Sequence, residues 1–123
     1  MIESSYFFDS SAWLSYFYQD SEKIREIVDN VNIKIFTSVI SISEIKRKLN
    51  KDKTAKEKQT SVYEFIISRA ILVEITLEIS NRASEYIDLH TVDALIYASA
   101  QKVEKTLLTR DNDFRNLNKV III

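Results

Sequence analysis

The run Tyr6-Phe7-Phe8-Asp9-Ser10-Ser11 decides how this chain is read. Three successive aromatic residues have no polar side, so a strand built from them is covered on both faces. Asp9-Ser10-Ser11 then stops the strand with residue types that open helices. Working outward, the same alternation recurs. Helical periodicity fills about 11–18 and 22–31, where Ile24, Ile27, Val28 and Val31 share a face. Ile33-Lys34-Ile35-Phe36 reads as a second strand closed by Thr37-Ser38. A helix carrying Val39, Ile42, Ile45 and Leu49 runs into a lysine-rich stretch, and another covers about 55–69. Ile71 to Ile75 forms a third strand, followed by helices over about 77–87 and 91–104. Thr106 to Thr109 and Val120 to Ile123 complete the set of strands. Apolar strands joined by helical crossovers predict an α/β fold, a three-layer sandwich with helices on both faces of a central parallel sheet of about five strands. No linker, repeat or compositional break divides the chain, so residues 1–123 read as a single domain.

Composition narrows the chemistry. The 123 residues are 46% hydrophobic and 28% charged, the balance of a chain that folds rather than one that stays disordered. Average usage would supply about nine Gly and about six Pro in this length, and there are none. Without glycine there is no phosphate-cradling loop, dinucleotide fingerprint or nucleophile elbow. Without cysteine there is no disulfide frame, thiol nucleophile or cysteine-based metal site. The lone histidine, His90, excludes multi-histidine zinc sites and two-histidine ribonuclease chemistry. No run reaches the length of a membrane span, and Met1-Ile2-Glu3-Ser4 lacks the basic start of a leader. The expectation is a cytoplasmic protein whose chemistry rests on carboxylates, hydroxyls, amines or a bound metal.

In doubly wound sheets ligands lie beyond the carboxyl ends of the strands, where strand order reverses. Asp9 follows the first strand and Asp111 the fourth, so the two converge if those strands are neighbours. Glu44 lies in the helix after strand two, Asp93 in the first turn of the helix leading to strand four, and Asp113 two residues past Asp111. Clustered carboxylates repel unless a cation joins them, and an all-oxygen set suits Mg²⁺ or Mn²⁺. Such an ion can activate water and stabilise a leaving oxygen in phosphodiester hydrolysis. Each acid also has a plain structural reading. Asp9 fits a helix cap, Asp93 a helix N-terminus, and Asp111 and Asp113 turn positions, while Ser41-Ile42-Ser43-Glu44 has capping-box spacing. Those readings do not explain why the acids follow the strand ends that the fold would gather.

Four pieces in order carry a resemblance: Phe7-Phe8-Asp9-Ser10-Ser11-Ala12, then Thr37-Ser38 with Ser41, Ser43, Glu44 and Ile45, then Asp93-Ala94-Leu95-Ile96-Tyr97-Ala98, then Leu107-Leu108-Thr109-Arg110-Asp111-Asn112-Asp113-Phe114. Over nearly its whole length the chain resembles the PIN domain, in particular VapC-like ribonuclease toxins of toxin–antitoxin pairs. The resemblance implies a PIN-like sandwich and an endoribonuclease that uses Mg²⁺ or Mn²⁺. It implies that Asp9, Glu44, Asp93 and Asp111 form the metal-binding catalytic pocket, with Asp113 a fifth acid and Ser10 and Thr109 in support. It also implies a homodimer and a cognate antitoxin bearing an Arg or Lys segment. The missing Gly and Pro depart from the family's habit and bear on loop geometry rather than on the acids.

Other features are less committed. Residues 46–58 hold seven basic and two acidic side chains, a local charge of +5 in a chain of net charge −1. That strip fits RNA phosphates or a solvated helix connection equally well. His90 reads as a surface or capping residue, and Trp13, Tyr16 and Phe17 as core or dimer surface. Three rival readings stand beside the toxin nuclease. A housekeeping RNA-processing PIN nuclease would lack an antitoxin, and a PIN module that binds without cutting would need no intact acid set. A phosphate-accepting receiver domain needs an Asp ending strand three, where Glu74-Ile75-Thr76 stands.

Overall fold

The structure, a computed structural model, describes residues 3–123. Met1 and Ile2, part of the stretch read for a leader, lie outside the described residues. Five parallel strands form one sheet: β1 (Ser5–Phe8), β2 (Lys34–Ser38), β3 (Ala70–Val73), β4 (Leu107–Thr109) and β5 (Val120–Ile122), in the order β3-β2-β1-β4-β5. The helices are α1 (Ser10–Tyr18), α2 (Glu22–Asp29), α3 (Val39–Lys51), α4 (Lys56–Arg69), α5 (Leu77–Ala83) and α6 (Thr91–Lys102). A short 3-10 turn, Asn112–Phe114, lies between β4 and β5. No described helix is long and apolar enough to cross a membrane.

β1 is the central strand. Its Phe7 pairs with Phe36 of β2 on one side and Leu107 of β4 on the other. Strand side chains alternate between faces, and the aromatic run splits accordingly. Tyr6 and Phe8 point into a core built with Trp13, Ile24, Ile27, Ile45, Leu49, Val62 and Ile66 from α1 to α4. Phe7 points the other way, against Ile96, Tyr97 and Ala100 of α6 and Phe114. Burying an aromatic side chain on each face contributes roughly 2–3 kcal/mol per residue, which is why β1 carries only aromatic side chains between Ser5 and Asp9, the Tyr6 hydroxyl accepting the Glu3 amide at 2.8 Å. α5 packs on α6 through Ile79, Ala83, Ala94 and Ala98, where small residues allow close approach.

The chain makes its left-handed turns without glycine. Gln19, Lys53, Glu104, Asn116 and Lys119 take φ between 55° and 73°. Three of them follow helix ends: Gln19 caps α1, and Lys53 and Glu104 come just after α3 and α6. None is β-branched, so each accepts a conformation costing about 1 kcal/mol. Where α2 ends, Arg69 replaces loop rigidity with hydrogen bonds. Its Nε donates to the Val28 carbonyl at 3.0 Å, and Nη2 reaches those of Ile27, Asn30 and Ile33 at 3.3, 3.0 and 2.8 Å.

Between β1 and β4 the strand order reverses: the chain first builds outward through β2 and β3, then returns to the other side of β1. The carboxyl ends of these two strands therefore flank the crevice where a doubly wound sheet binds its ligand.

Candidate metal centre

Asp9 leaves β1 at that crevice and is almost fully buried, 4% exposed. It caps α1: Oδ1 accepts the Ala12 amide at 3.0 Å and the Ser11 hydroxyl at 2.7 Å. Its Oδ2 accepts the Thr109 hydroxyl from the end of β4 at 2.5 Å. Thr109 Oγ1 in turn accepts the Asp111 amide at 3.0 Å, and Ser11 Oγ accepts the Arg110 amide at 2.9 Å. These bonds join the ends of β1 and β4 side by side. A carboxylate has about four lone-pair sites, so three donors leave Asp9 an acceptor position toward the crevice. The capping reading of Asp9 is correct, and it coexists with the placement at the rim.

Asp111 accepts the Asp113 amide at 2.9 Å, which folds the chain back and sets both carboxylates beside Asp93. Oxygens of Asp93, Asp111 and Asp113 all lie within 4.8 Å of one another. Asp93 enters from the first turn of α6, whose N-terminus favours negative charge. Glu44 enters from α3, which is capped by Ser38 through the Ile40 amide at 3.2 Å. The capping-box reading of Ser41 to Glu44 thus gives way to a helix starting two residues earlier than Ser41, and Glu44 is free of any capping duty. Its Oε1 is buried without a hydrogen-bond partner.

Electrostatics treat the acids as one group. Burial pushes the Asp9 and Glu44 carboxyls up; hydrogen bonds from Thr109, Ser11 and Ala12 partly offset this for Asp9, and one from Ser10 does so for Glu44. Glu44 feels the charges of Asp9, Asp93 and Asp111. Asp93 is pushed up to about 6, by burial first and then by Asp111, Asp9 and Asp113, with His90 pulling weakly the other way. Among the described residues none of the five acids has an ion pair; the three that form are Lys48–Asp52, Lys102–Glu78 and Arg110–Asp20. Arg110 is the adjoining cation, and it turns away to Asp20 and Ser15, each at 3.2 Å.

Of the sequence-derived acids, Asp93, Asp111 and Asp113 are gathered most tightly, and Asp9 and Glu44 lie within electrostatic reach of Asp93 and Asp111. Ser10 and Thr109 touch Glu44 and Asp9. Ser11 is not among the sequence-derived residues, although a second hydroxyl after a capping Asp is a signal for such a role. His90 sits exposed at the N-cap of α6 without a capping hydrogen bond. Trp13 is core, fully buried, its Nε1 donating to Thr37 Oγ1 at 3.2 Å. Tyr16 and Phe17 pack on Phe65 of α4. The donor set tests well for a hard divalent ion: all oxygen, several carboxylates, no ion-pair partner among the described residues, and an orphaned buried oxygen on Glu44.

Fold and rim together define a doubly wound α/β protein with an acid-lined switch point. The PIN domain family model matches residues 6–120, and the chain belongs to the PIN domain family. Family membership sets the receiver alternative aside. Among solved structures, the chain is similar to DNA-bound VapBC from Salmonella typhimurium, with 17% identity, 98% of each chain covered and a TM-score of 0.79. It is also similar to VapBC2 from Rickettsia felis bound to a promoter DNA fragment, with 18% identity, 97% of each chain covered and a TM-score of 0.78. A third is VapC20 of Mycobacterium tuberculosis, a toxin that cleaves the Sarcin-Ricin loop, with 17% identity, 93% of this chain and 95% of that chain covered, and a TM-score of 0.72. No curated protein matches the sequence.

Proposed function

We propose that the chain, acting as one PIN domain over residues 1–123, is an endoribonuclease dependent on Mg²⁺ or Mn²⁺ and the toxin of a VapBC-type pair in the cytoplasm. The observation that carries the reading is the tight group Asp93, Asp111 and Asp113, with Asp9 and Glu44 electrostatically coupled to it from two further segments, none having an ion-pair partner among the described residues. Asp93, Asp111 and Asp113 would hold the ion, with Glu44 able to offer its unpartnered oxygen and Asp9 its remaining acceptor site. A bound divalent ion supplies Lewis acidity at the scissile phosphate and lowers the pKa of attacking water. Thr109 and Ser11 fix the Asp9 carboxylate so that its oxygens need not reorganise, which is how preorganised polar groups stabilise developing charge. The Asp111–Asp113 turn holds two carboxylates in a fixed fork. The similarity to VapBC complexes supports an antitoxin partner, and the VapC20 likeness supports RNA as substrate. A homodimer belongs to the same reading.

The test is cleavage of a structured RNA panel by the full chain, with Mn²⁺, with Mg²⁺ and with EDTA, beside Asp9→Asn and Asp93→Asn variants whose folding is checked by circular dichroism. Cutting should need the ion and disappear in both folded variants. Undiminished cutting by the variants would place the chemistry elsewhere.

A further inference from the structure

An acidic crevice repels a polyanion, and outside residues 46–58 the chain carries a net charge of about −6. RNA therefore needs a cationic hold close to the crevice, and α3 supplies one. Several cations of the strip are already engaged. Lys46 Nζ lies 4.2 Å above the Tyr63 ring, Lys48 pairs with Asp52 at 3.1 Å, and Lys56 donates to Asn50 at 3.2 Å. Arg47 and Lys51 are exposed and have neither an ion pair nor a side-chain hydrogen bond among the described residues.

Their positions matter. Arg47 and Lys51 follow Glu44 by three and seven residues on the same uninterrupted helix. At 3.6 residues per turn, both fall on Glu44's side of α3, about 4.5 and about 10.5 Å further along its axis. They also stand at i, i+4 to each other, so like charges one turn apart repel until an anion lies between them. The α3 stripe thus passes from a carboxylate in the crevice to two unengaged cations leading away from it.

We propose that Arg47 and Lys51 form a phosphate track that holds the RNA backbone on one side of the scissile bond. This inference rests on the nuclease reading above and deepens it by placing part of the substrate. The guanidinium of Arg47 can grip a phosphate with two parallel hydrogen bonds, while Lys51 acts as a point charge further along the strand. Neither residue touches the reacting atoms. Both are positioning residues, and their effect belongs in substrate binding.

The experiment compares the full-length wild type, Arg47→Gln/Lys51→Gln, and Lys23→Gln/Arg25→Gln as a control that removes equal charge from α2. Steady-state cleavage of one susceptible RNA in Mn²⁺ gives kcat and KM. Fluorescence anisotropy at several salt concentrations gives the binding slope, with an Asp93→Asn background keeping the RNA uncut. The track predicts a KM raised roughly tenfold with kcat held, and a log–log salt slope shallower by about 1.4, since each single-strand contact contributes about 0.7. Arg47→Lys alone should recover part of the KM. The α2 control should match wild type. Equal effects of the two double variants, a loss confined to kcat, or an unchanged salt slope overturns the proposal, including the case where this face binds a protein instead. If wild type cuts no RNA at all while binding retains the Arg47/Lys51-dependent slope, the nuclease reading fails and the track survives. Wild-type cutting that is indifferent to both residues has the opposite meaning.

Discussion

Asp93→Asn should make the metal-free protein more stable while removing its response to divalent ions. The carboxyl of Asp93 rises from 3.8 to about 6 through burial and the charges of Asp111, Asp9 and Asp113. A rise of about two units corresponds to roughly 3 kcal/mol of unfavourable ionisation in the folded state. Asp93 is only partly buried, and solvent screening plus the favourable α6 N-terminus cut the usable figure to about 1 kcal/mol. The sign is fixed by linkage. A raised carboxyl pKa gives stability that is fully present below about 3.8 and lost as pH rises through about 6. Wild type and variant should therefore coincide near pH 4 and separate above pH 6, where Asn should raise Tm by roughly 3–6 °C in EDTA. Saturating Mn²⁺ at about a hundred times Kd should stabilise wild type by about 2.7 kcal/mol and the variant far less. Differential scanning calorimetry at the two pH values, with and without the ion, reads all four states. An Asn variant that melts lower than wild type at pH 7.5 in EDTA, or gains as much from Mn²⁺, would refute the account of mutual repulsion relieved by a cation. Asp9→Asn is a poorer probe, because its oxygen can still cap α1 while its amide nitrogen would face the Thr109 hydroxyl, which donates to Asp9 in the wild type.

Two further changes test the supports. Thr109→Val removes the donor to Asp9 and the acceptor of the Asp111 amide, so urea unfolding should show a loss of about 1–3 kcal/mol and RNA cleavage should fall. Arg69→Lys keeps the charge but cannot span four carbonyls at once, and should lower stability by about 1–2 kcal/mol with kcat unchanged.

The aromatic run at Tyr6 to Phe8 announced its strand because side chains apolar on both faces permit little else. The boundaries that slipped did so for local reasons. The apolar run predicts strand three through Ile75, but it ends at Val73, where register with Ser38 stops. The helix read to 87 ends at Ala83; Tyr86 and Leu89 then enter the core through successive turns, their amides bonded to the Ala83 and Tyr86 carbonyls. The acids were legible as strand-end residues, but their meeting depends on β4 lying beside β1. That adjacency is a property of strand order, and no local spacing encodes it. The Asp9–Thr109 bond spans 100 positions. Arg69's four carbonyls, 36 to 42 residues away, were equally invisible.

Strand order also sets when the acid cluster is complete. Thr109, Asp111 and Asp113 follow all six helices in the chain, and until β4 slots against β1 Asp9 lacks its Thr109 donor and Asp93 its two carboxylate neighbours. A product truncated before β4 would carry the six helices and three of the five strands yet lack the gathered acids. Under the proposed toxin reading, the docking of β4 is the step that arms the protein, and it leaves an interval in which a neutralising partner can be waiting.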